Sequence, residues 1–164
     1  MEKEIVRISV RNLVEFILRS GDLDSGSGTA DREAMLKGSR LHRKIQKQMK
    51  TGYQAEVPLK KDTEFEDLTI RVEGRADGIM TEEDTVCIDE IKGVYKDVKL
   101  LEEPVAVHRA QAMCYAWIYA SQNGLDEIGV QMTYANLDTE EIKRFREQFS
   151  GDDLKKWYQD LLEA

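Results

Sequence analysis

The sequence contains few of the residues that characterise disulfide-stapled or zinc-binding proteins. Its 164 residues include two cysteines, two prolines and two histidines, and aromatic residues make up 7% of the chain. Cys87 and Cys114 show no C-x-x-C spacing, so we expect two buried reduced thiols rather than a disulfide or metal ligands.

Long hydrophobic runs are also missing. No apolar stretch approaches the roughly 20 residues that a membrane helix needs, and the first seven residues lack a signal-peptide core. The chain is 41% hydrophobic and 34% charged, which is typical of a soluble globular protein. We therefore expect a cytoplasmic protein without membrane contact, folded as a single domain over 1–164.

Positive charge is scarce in the chain as a whole. The net charge of −8 at pH 7 disfavours nucleic-acid binding, because phosphate contacts need Lys and Arg. The distribution is uneven, however: residues 1–61 hold 13 Lys and Arg against 8 Asp and Glu, whereas residues 62–164 hold 11 against 24. A local positive groove is therefore compatible with the acidic total.

The first fifty residues predict two helices separated by a loop. Apolar residues recur at helical spacing over 5–19, and the helix is expected to begin at about Ser9. The glycine- and serine-rich stretch 20–29 predicts a loop. A second helix is then expected to run to about Lys50.

The remaining residues predict strands alternating with helices. The predicted strands cover 53–60, 68–78, 86–93 and 128–135. The predicted helices cover 104–123 and 139–162, the latter broken near 150–151. Glu56 is expected on the face of the first of these strands opposite its apolar residues.

The hairpin over 72–93 carries the main candidate chemistry. Asp77 lies on its first strand, and Glu90 and Lys92 lie on its second, where alternation places them on one face. Carboxylates that converge from neighbouring strands bind hard divalent cations, and a lysine beside such an ion can position a water. The same E-x-K pattern also occurs on solvent-exposed strand faces without a function, so the pattern alone does not distinguish a metal site from such a face.

A basic segment lies on the second predicted helix. Six cations and no acid occur over 37–50, and this pattern is typical either of a solvated helix face or of a helix that follows phosphates. We expect Arg40, Lys44 and Lys47 to contribute to DNA affinity. His42 lies beside the apolar stripe of this helix, where a lone histidine is usually a structural residue.

Four short motifs occur in order along these elements. They are G-S-R-L-H at 38–42, G-R-A-D-G at 74–78, E-I-K at 90–92 and Q-A-M-C-Y at 111–115. Their order and placement resemble the PD-(D/E)xK nuclease superfamily, and within it the RecB-like branch that includes CRISPR-associated adaptation nucleases. The resemblance implies an α/β fold with a restriction-endonuclease-like core, in which helices flank a central mixed sheet of about four strands.

The resemblance also implies a set of metal ligands. Asp77 and Glu90 are the expected metal-binding acids, with His42 and the backbone carbonyl of Ile91 as further ligands. The expected ion is Mg2+ or Mn2+. Several RecB-like relatives hold an iron-sulfur cluster with four cysteines, which the two cysteines here cannot supply, so no Fe-S cluster is expected.

Other matching residues are expected to act on water or substrate. By the same resemblance, Lys92 orients or activates the attacking water. Gln111 and Tyr115 brace the site or contact the nucleic acid, and Glu56 is a supporting acid. Ala76 precedes Asp77, at the position where the PD-(D/E)xK motif has a proline before its first acid.

Parts of the chain further resemble the N-terminal nuclease region of some DinG-like helicases. The similar segments are R-I-S-V-R-N-L-V-E-F-I-L-R-S-G-D, G-S-R-L-H-R-K-I-Q and A-Q-A-M-C-Y-A. No phosphate-binding G-x-x-x-x-G-K-S/T loop occurs in the chain. This resemblance implies DNA as a partner, together with a helicase that is either fused or separate.

Three functions stay open from the sequence. The first is a divalent-metal-dependent DNA nuclease, expected to be an exonuclease in repair or recombination. The second is a non-catalytic nucleic-acid-binding or scaffolding module of the same fold. The third is a different metal hydrolase that uses the same carboxylates.

Overall fold

The computed structural model describes residues 3–18, 30–49 and 52–163. The predicted loop over 20–29 lies outside these residues. The helices are α1 (Val10–Ile17), α2 (Ala30–Gln48), α3 (Ala106–Asn123) and α4 (Gly151–Glu163). The strands are β1 (Glu4–Ser9), β2 (Tyr53–Glu64), β3 (Leu68–Glu82), β4 (Thr85–Val94), β5 (Glu127–Asn136) and β6 (Ile142–Ser150).

One mixed sheet of six strands forms the centre of the fold, in the order β1-β3-β4-β5-β6, with β2 also paired to β3. β1 is parallel to β3 and β4 is parallel to β5, whereas the other pairs are antiparallel. The predicted α/β class and mixed sheet are confirmed. The expected count of about four strands was low, because β1 and β6 were not predicted.

β1 occupies the first residues of the apolar stripe over 5–19, directly before the predicted start of the helix. Its β-branched residues Ile5, Val6 and Ile8 suit an extended chain, and the strand runs alongside 68–73 of β3. The predicted helix start is confirmed, since the Ser9 hydroxyl accepts a hydrogen bond from the Asn12 amide at 3.0 Å.

The predicted helix over 139–162 is wrong in its first half. Residues 142–150 form the edge strand β6, in which Phe145 and Phe149 are half-buried against the core, whereas Arg144, Arg146 and Gln148 on the alternate positions are exposed. This period of two lets one face of the strand cover the sheet while the other meets water. The position predicted for a break in this helix is instead the junction of β6 and α4, where α4 begins at Gly151 and the Ser150 hydroxyl accepts from the Asp153 amide.

Helices cover the two faces of the sheet unequally. Ile88, on β4, belongs to the large core that also contains residues of α1, α3 and α4. Ile91 points the other way and packs with Leu41 and Ile45 of α2. The faces are therefore called the α3 face and the α2 face below. No helix among the described residues is long and apolar enough to cross a membrane.

Candidate active site

The candidate site lies at a gap in the pairing of β3. The long strand pairs along one edge first with β1, ending at Glu73, and then with β4, beginning at Gly78. Between these two ladders the backbone of β3 is separated from β4. Asp77 is the last residue of this gap, and its carboxylate occupies the space that opens between the strands.

Asp77 replaces part of the missing ladder with its side chain. Its Oδ2 accepts a hydrogen bond from the Ile91 amide at 2.7 Å. In an extended strand the N–H and C=O of one residue point to the same side, so the Ile91 carbonyl is directed to the same gap. His42 Nδ1 lies 3.6 Å from Asp77 Oδ1.

Glu90 is the second carboxylate of the gap and is only 4% exposed. Its pKa is raised well above the ordinary value, first by burial and then by the charge of Asp77 and a hydrogen bond to it. Lys92 acts in the opposite direction. Two neighbouring acids with little access to water repel each other when both are ionised, so the arrangement favours binding of a proton or a cation.

These groups fit a hard divalent ion. Asp77, Glu90 and the Ile91 carbonyl supply only oxygen donors, which Mg2+ and Mn2+ prefer, and a cation would neutralise the like-charge pair. His42 is half-buried at the edge of the set. Within 3–18, 30–49 and 52–163, no group of three or more His, Cys, Asp or Glu side chains is arranged to hold a metal ion, so an ion here would rely on the two carboxylates together with the Ile91 carbonyl.

Lys92 is half-buried on the same strand face as Glu90. It lies in register with Tyr134 of β5, and its charge acts on both Glu90 and His108. The structure thus brings Asp77, Glu90, Lys92 and His42 together from three elements.

Gln111 and Tyr115 approach from α3. Gln111 is 4% exposed and Tyr115 is buried. Burial and then the charge of Glu90 raise the pKa of Tyr115, and the Arg75 backbone acts in the opposite direction. A Cβ at Gly74 would lie 2.5 Å from the Tyr115 Oη, so the glycine lets α3 pack closely against β3.

Glu56 lies across from Asp77 in the register of β2 and β3. The pair is absent from the ladder, and Glu56 has a positive φ of 54°. Gln46 of α2 closes this interruption, because its Nε2 donates to Glu56 Oε1 at 3.0 Å and to the Asp77 carbonyl at 2.9 Å. Gln46 was not predicted, although its position four residues after His42 places both side chains on one helix face.

His108 is a further polar residue near Lys92. The Tyr134 hydroxyl accepts the Val105 N–H at 2.9 Å and lies 3.0 Å from His108 Nδ1. Burial, and then the charges of Lys92 and Arg11, lower the pKa of His108 to about 4, so the ring is neutral at neutral pH.

The predicted DNA-contacting cations lie on another side of α2. With about 100° between successive residues, Arg40, Lys44 and Lys47 lie at least about 100° around the helix from His42 and Gln46. Lys44 forms an ion pair with Glu140, whereas Arg40 and Lys47 are exposed. Their contact with DNA stays a prediction.

Both cysteines are free and buried, as expected. Burial raises the pKa of Cys87 to about 11 and raises that of Cys114 further. Neither thiol is therefore ionised near neutral pH.

Comparisons with known proteins agree with this geometry. A family profile of the PD-(D/E)XK nuclease superfamily matches residues 5–164. Among solved structures, the protein SSO0001 matches with a TM-score of 0.62 and 18% identity, over 99% of this chain and 78% of SSO0001. An alkaline exonuclease from Laribacter hongkongensis, LHK-Exo, matches with a TM-score of 0.52 and 13% identity, over 96% of this chain and 86% of the exonuclease.

The chain belongs to the PD-(D/E)XK nuclease superfamily. The predicted family and the restriction-endonuclease-like fold are thus confirmed. At these identities the two solved structures show the fold alone. No curated protein matches the sequence, and the RecB-like branch and the relation to DinG-like helicases stay predictions.

Proposed function

We propose that this protein is a divalent-metal-dependent nuclease that hydrolyses phosphodiester bonds of DNA. The juxtaposition of the buried Glu90 carboxylate with the half-buried Asp77 carboxylate carries the proposal, because two adjacent carboxylates with little access to water are costly to a fold unless a proton or a cation is shared between them. A non-catalytic module of this fold has no need to keep that pair beside a lysine.

The proposed division of labour follows from the position of each group. Asp77, Glu90 and the Ile91 carbonyl hold the ion, with His42 as a further ligand at the rim. When bound, Mg2+ or Mn2+ stabilises negative charge on phosphoryl oxygens and lowers the pKa of a bound water. Lys92 binds a nonbridging phosphate oxygen or orients the attacking water.

Gln111, Tyr115 and Gln46 position these groups. Tyr115 packs closely against Gly74 of β3, and Gln46 fixes the Asp77 carbonyl. Glu56 supports the site by holding the Gln46 amide.

We further propose exonuclease action in DNA repair or recombination, beside a fused or separate helicase. The fold shared with an alkaline exonuclease supports this mode of cleavage, and the N-terminal resemblance to DinG-like helicases supports the partner. A circular single strand and its linearised form distinguish the modes of cleavage, since an exonuclease degrades only the linear form.

Degradation of end-labelled DNA tests the function. Wild type with Mn2+ or Mg2+ is expected to degrade the strand, whereas Glu90→Ala, or wild type with a chelator, is expected to leave it intact. Asp84→Asn is the matched control, because this exposed acid lies in the turn between β3 and β4. DNA binding without cleavage under every divalent metal would favour the non-catalytic module.

A further inference from the structure

A second polar groove lies on the α2 face of the sheet. It has a volume of about 420 Å3 and is bounded by the C-terminal end of α2, the start of β2, the outer end of the β3–β4 hairpin and β6. Glu90 and Lys92 point to the opposite, α3 face. The groove is thus separate from the candidate active site, although α2 contacts both through Gln46 and its neighbours Gln48 and Met49.

The charged side chains between α2 and β6 are ion-paired at one end of this space and lack acidic partners at the other. At one end the space is closed by ion pairs from Lys37 to Asp138 and from Lys44 to Glu140. Further along β6, Arg144 and Arg146 enter the groove from the same strand face. Neither guanidinium has a carboxylate within 4.0 Å among the described residues.

The contacts of the two arginines among the described residues are weak. Arg144 Nη2 lies 3.9 Å from Met49 Sδ, and Arg146 is close enough for its charge to lower the pKa of the Cys87 thiol against the larger effect of burial. These contacts use little of the five-donor capacity of each guanidinium. Glu82 is the one acid among the described residues that line the groove, in a chain whose net charge is −8.

The floor of the groove is rigid and its polar groups are satisfied. Asp89 is 0% exposed and accepts hydrogen bonds from Tyr53, Thr133 and Gln131, with the first two at 2.8 and 2.6 Å. The Tyr53 ring lies across Gly78, where a Cβ would overlap the hydroxyl. The Tyr53 ring is thereby fixed in the same groove as Arg144 and Arg146. It packs on Gly78, the residue that follows Asp77.

We propose that this groove binds a single-stranded segment of the nucleic-acid substrate, with its phosphates on Arg144 and Arg146 and a base against Met49 and Tyr53. This assignment rests on the proposed function for the identity of the ligand. A basic groove with an aromatic platform is the usual means of holding single strands, and the volume lies within the range of pockets that hold a small ligand, such as a single nucleotide unit.

Binding of a fluorescent oligothymidine strand in EDTA tests the proposal without cleavage. The Arg144→Ala/Arg146→Ala variant is expected to bind about tenfold more weakly. Its log–log salt slope is expected to be shallower by about 1.4, which is 0.7 for each lost phosphate contact. Lys155→Ala/Lys156→Ala removes the same charge from the exposed surface of α4 and is expected to bind like wild type.

Two further variants separate specific contact from net charge. Arg144→Lys/Arg146→Lys keeps the charge but loses the planar fork, and is expected to recover only part of the affinity. Gln48→Glu places an acid in the groove without removing an arginine, and is expected to weaken binding even where the double alanine variant fails to fold. Equal binding by wild type and Gln48→Glu would overturn the proposal.

Two other outcomes would also overturn it. One is an equal loss of affinity in the β6 and α4 double variants. The other is a larger loss of affinity for a duplex than for a single strand in the β6 double variant. Hydrolysis of bis(p-nitrophenyl) phosphate by wild type tests the proposed function separately. Its failure would leave the binding comparison in EDTA readable, so the two failures are distinguishable.

Discussion

Glu90 is a buried carboxylate that meets a second carboxylate, Asp77, at the gap between β3 and β4. Its raised pKa has burial as the first cause and the charge of Asp77 as the second. Because the folded state then binds more protons than the unfolded chain, stability falls as pH rises from the ordinary Glu value through the raised value. Ionisation of Glu90 therefore lowers the free energy of unfolding of the metal-free protein.

Glu90→Gln tests this cost. Glutamine keeps the shape and can donate to Asp77 without ever ionising, so the metal-free variant is expected to unfold at a higher temperature than wild type at pH 8. A gain of about 1 kcal/mol corresponds to roughly 2–4 °C for a domain of this size. The two proteins are expected to converge at pH 4, and a less stable variant at pH 8 would contradict the assigned cause.

Lys92→Ala separates catalysis from folding. Lys92 is half-buried beside Glu90, and loss of a charge-stabilising donor typically lowers kcat by about 100- to 1000-fold. The variant is expected to keep its stabilisation by Mn2+, because Lys92 is not a ligand. Lys96→Ala, an exposed neighbour, is the control, and equal activities of the two variants would remove Lys92 from the mechanism.

At the scale of elements, α3 and β3 are held together where Gly74 meets Tyr115. A Cβ at Gly74 would lie 2.5 Å from the Tyr115 hydroxyl and 3.1 Å from its ring. This contact fixes the distance between the helix carrying Gln111 and the strand carrying Asp77.

Gly74→Ala is expected to destabilise the protein by about 1–3 kcal/mol through overpacking, measured by urea unfolding. Tyr115→Phe is expected to recover part of that loss in the double variant, because it removes the nearest clashing atom. Additive losses would refute the contact.

Gly38→Ala is the contrasting substitution within a matched motif. A Cβ at Gly38 meets nothing within 4 Å, and the residue lies inside α2. Alanine is therefore expected to stabilise the protein by about 0.5–1 kcal/mol. Destabilisation at this position would mean that the glycine has a packing role that the structure does not show.

The elements also show which features the sequence could predict. The hairpin with Asp77, Glu90 and Lys92 could be predicted because strand alternation fixes the face of each side chain. Gln46 could not be predicted, since its hydrogen bond to the Asp77 carbonyl depends on the path of α2 across the sheet. β6 was mistaken for helix because its apolar residues are compatible with both periods, and only its place beside β5 selects the strand.

At the scale of the whole molecule, metal binding, proton release and stability are linked. An ion that binds Asp77 and Glu90 must displace the proton held by Glu90, so metal affinity is expected to rise with pH. At a metal concentration of 100 times Kd, the folded state gains about 2.7 kcal/mol. The Mn2+-induced rise in unfolding temperature is therefore expected to be larger at pH 8 than at pH 5, and to be absent in Glu90→Gln.

We propose that Asp77 and Glu90 hold the metal ion of a nuclease site. A crystal structure with Mn2+, in which the ion is located from its anomalous signal, tests this proposal. We expect a peak about 2.0–2.3 Å from a carboxylate oxygen of each residue, with the Ile91 carbonyl as a further ligand. A fully occupied Mn2+ elsewhere, with the Asp77–Glu90 hydrogen bond intact, would contradict it.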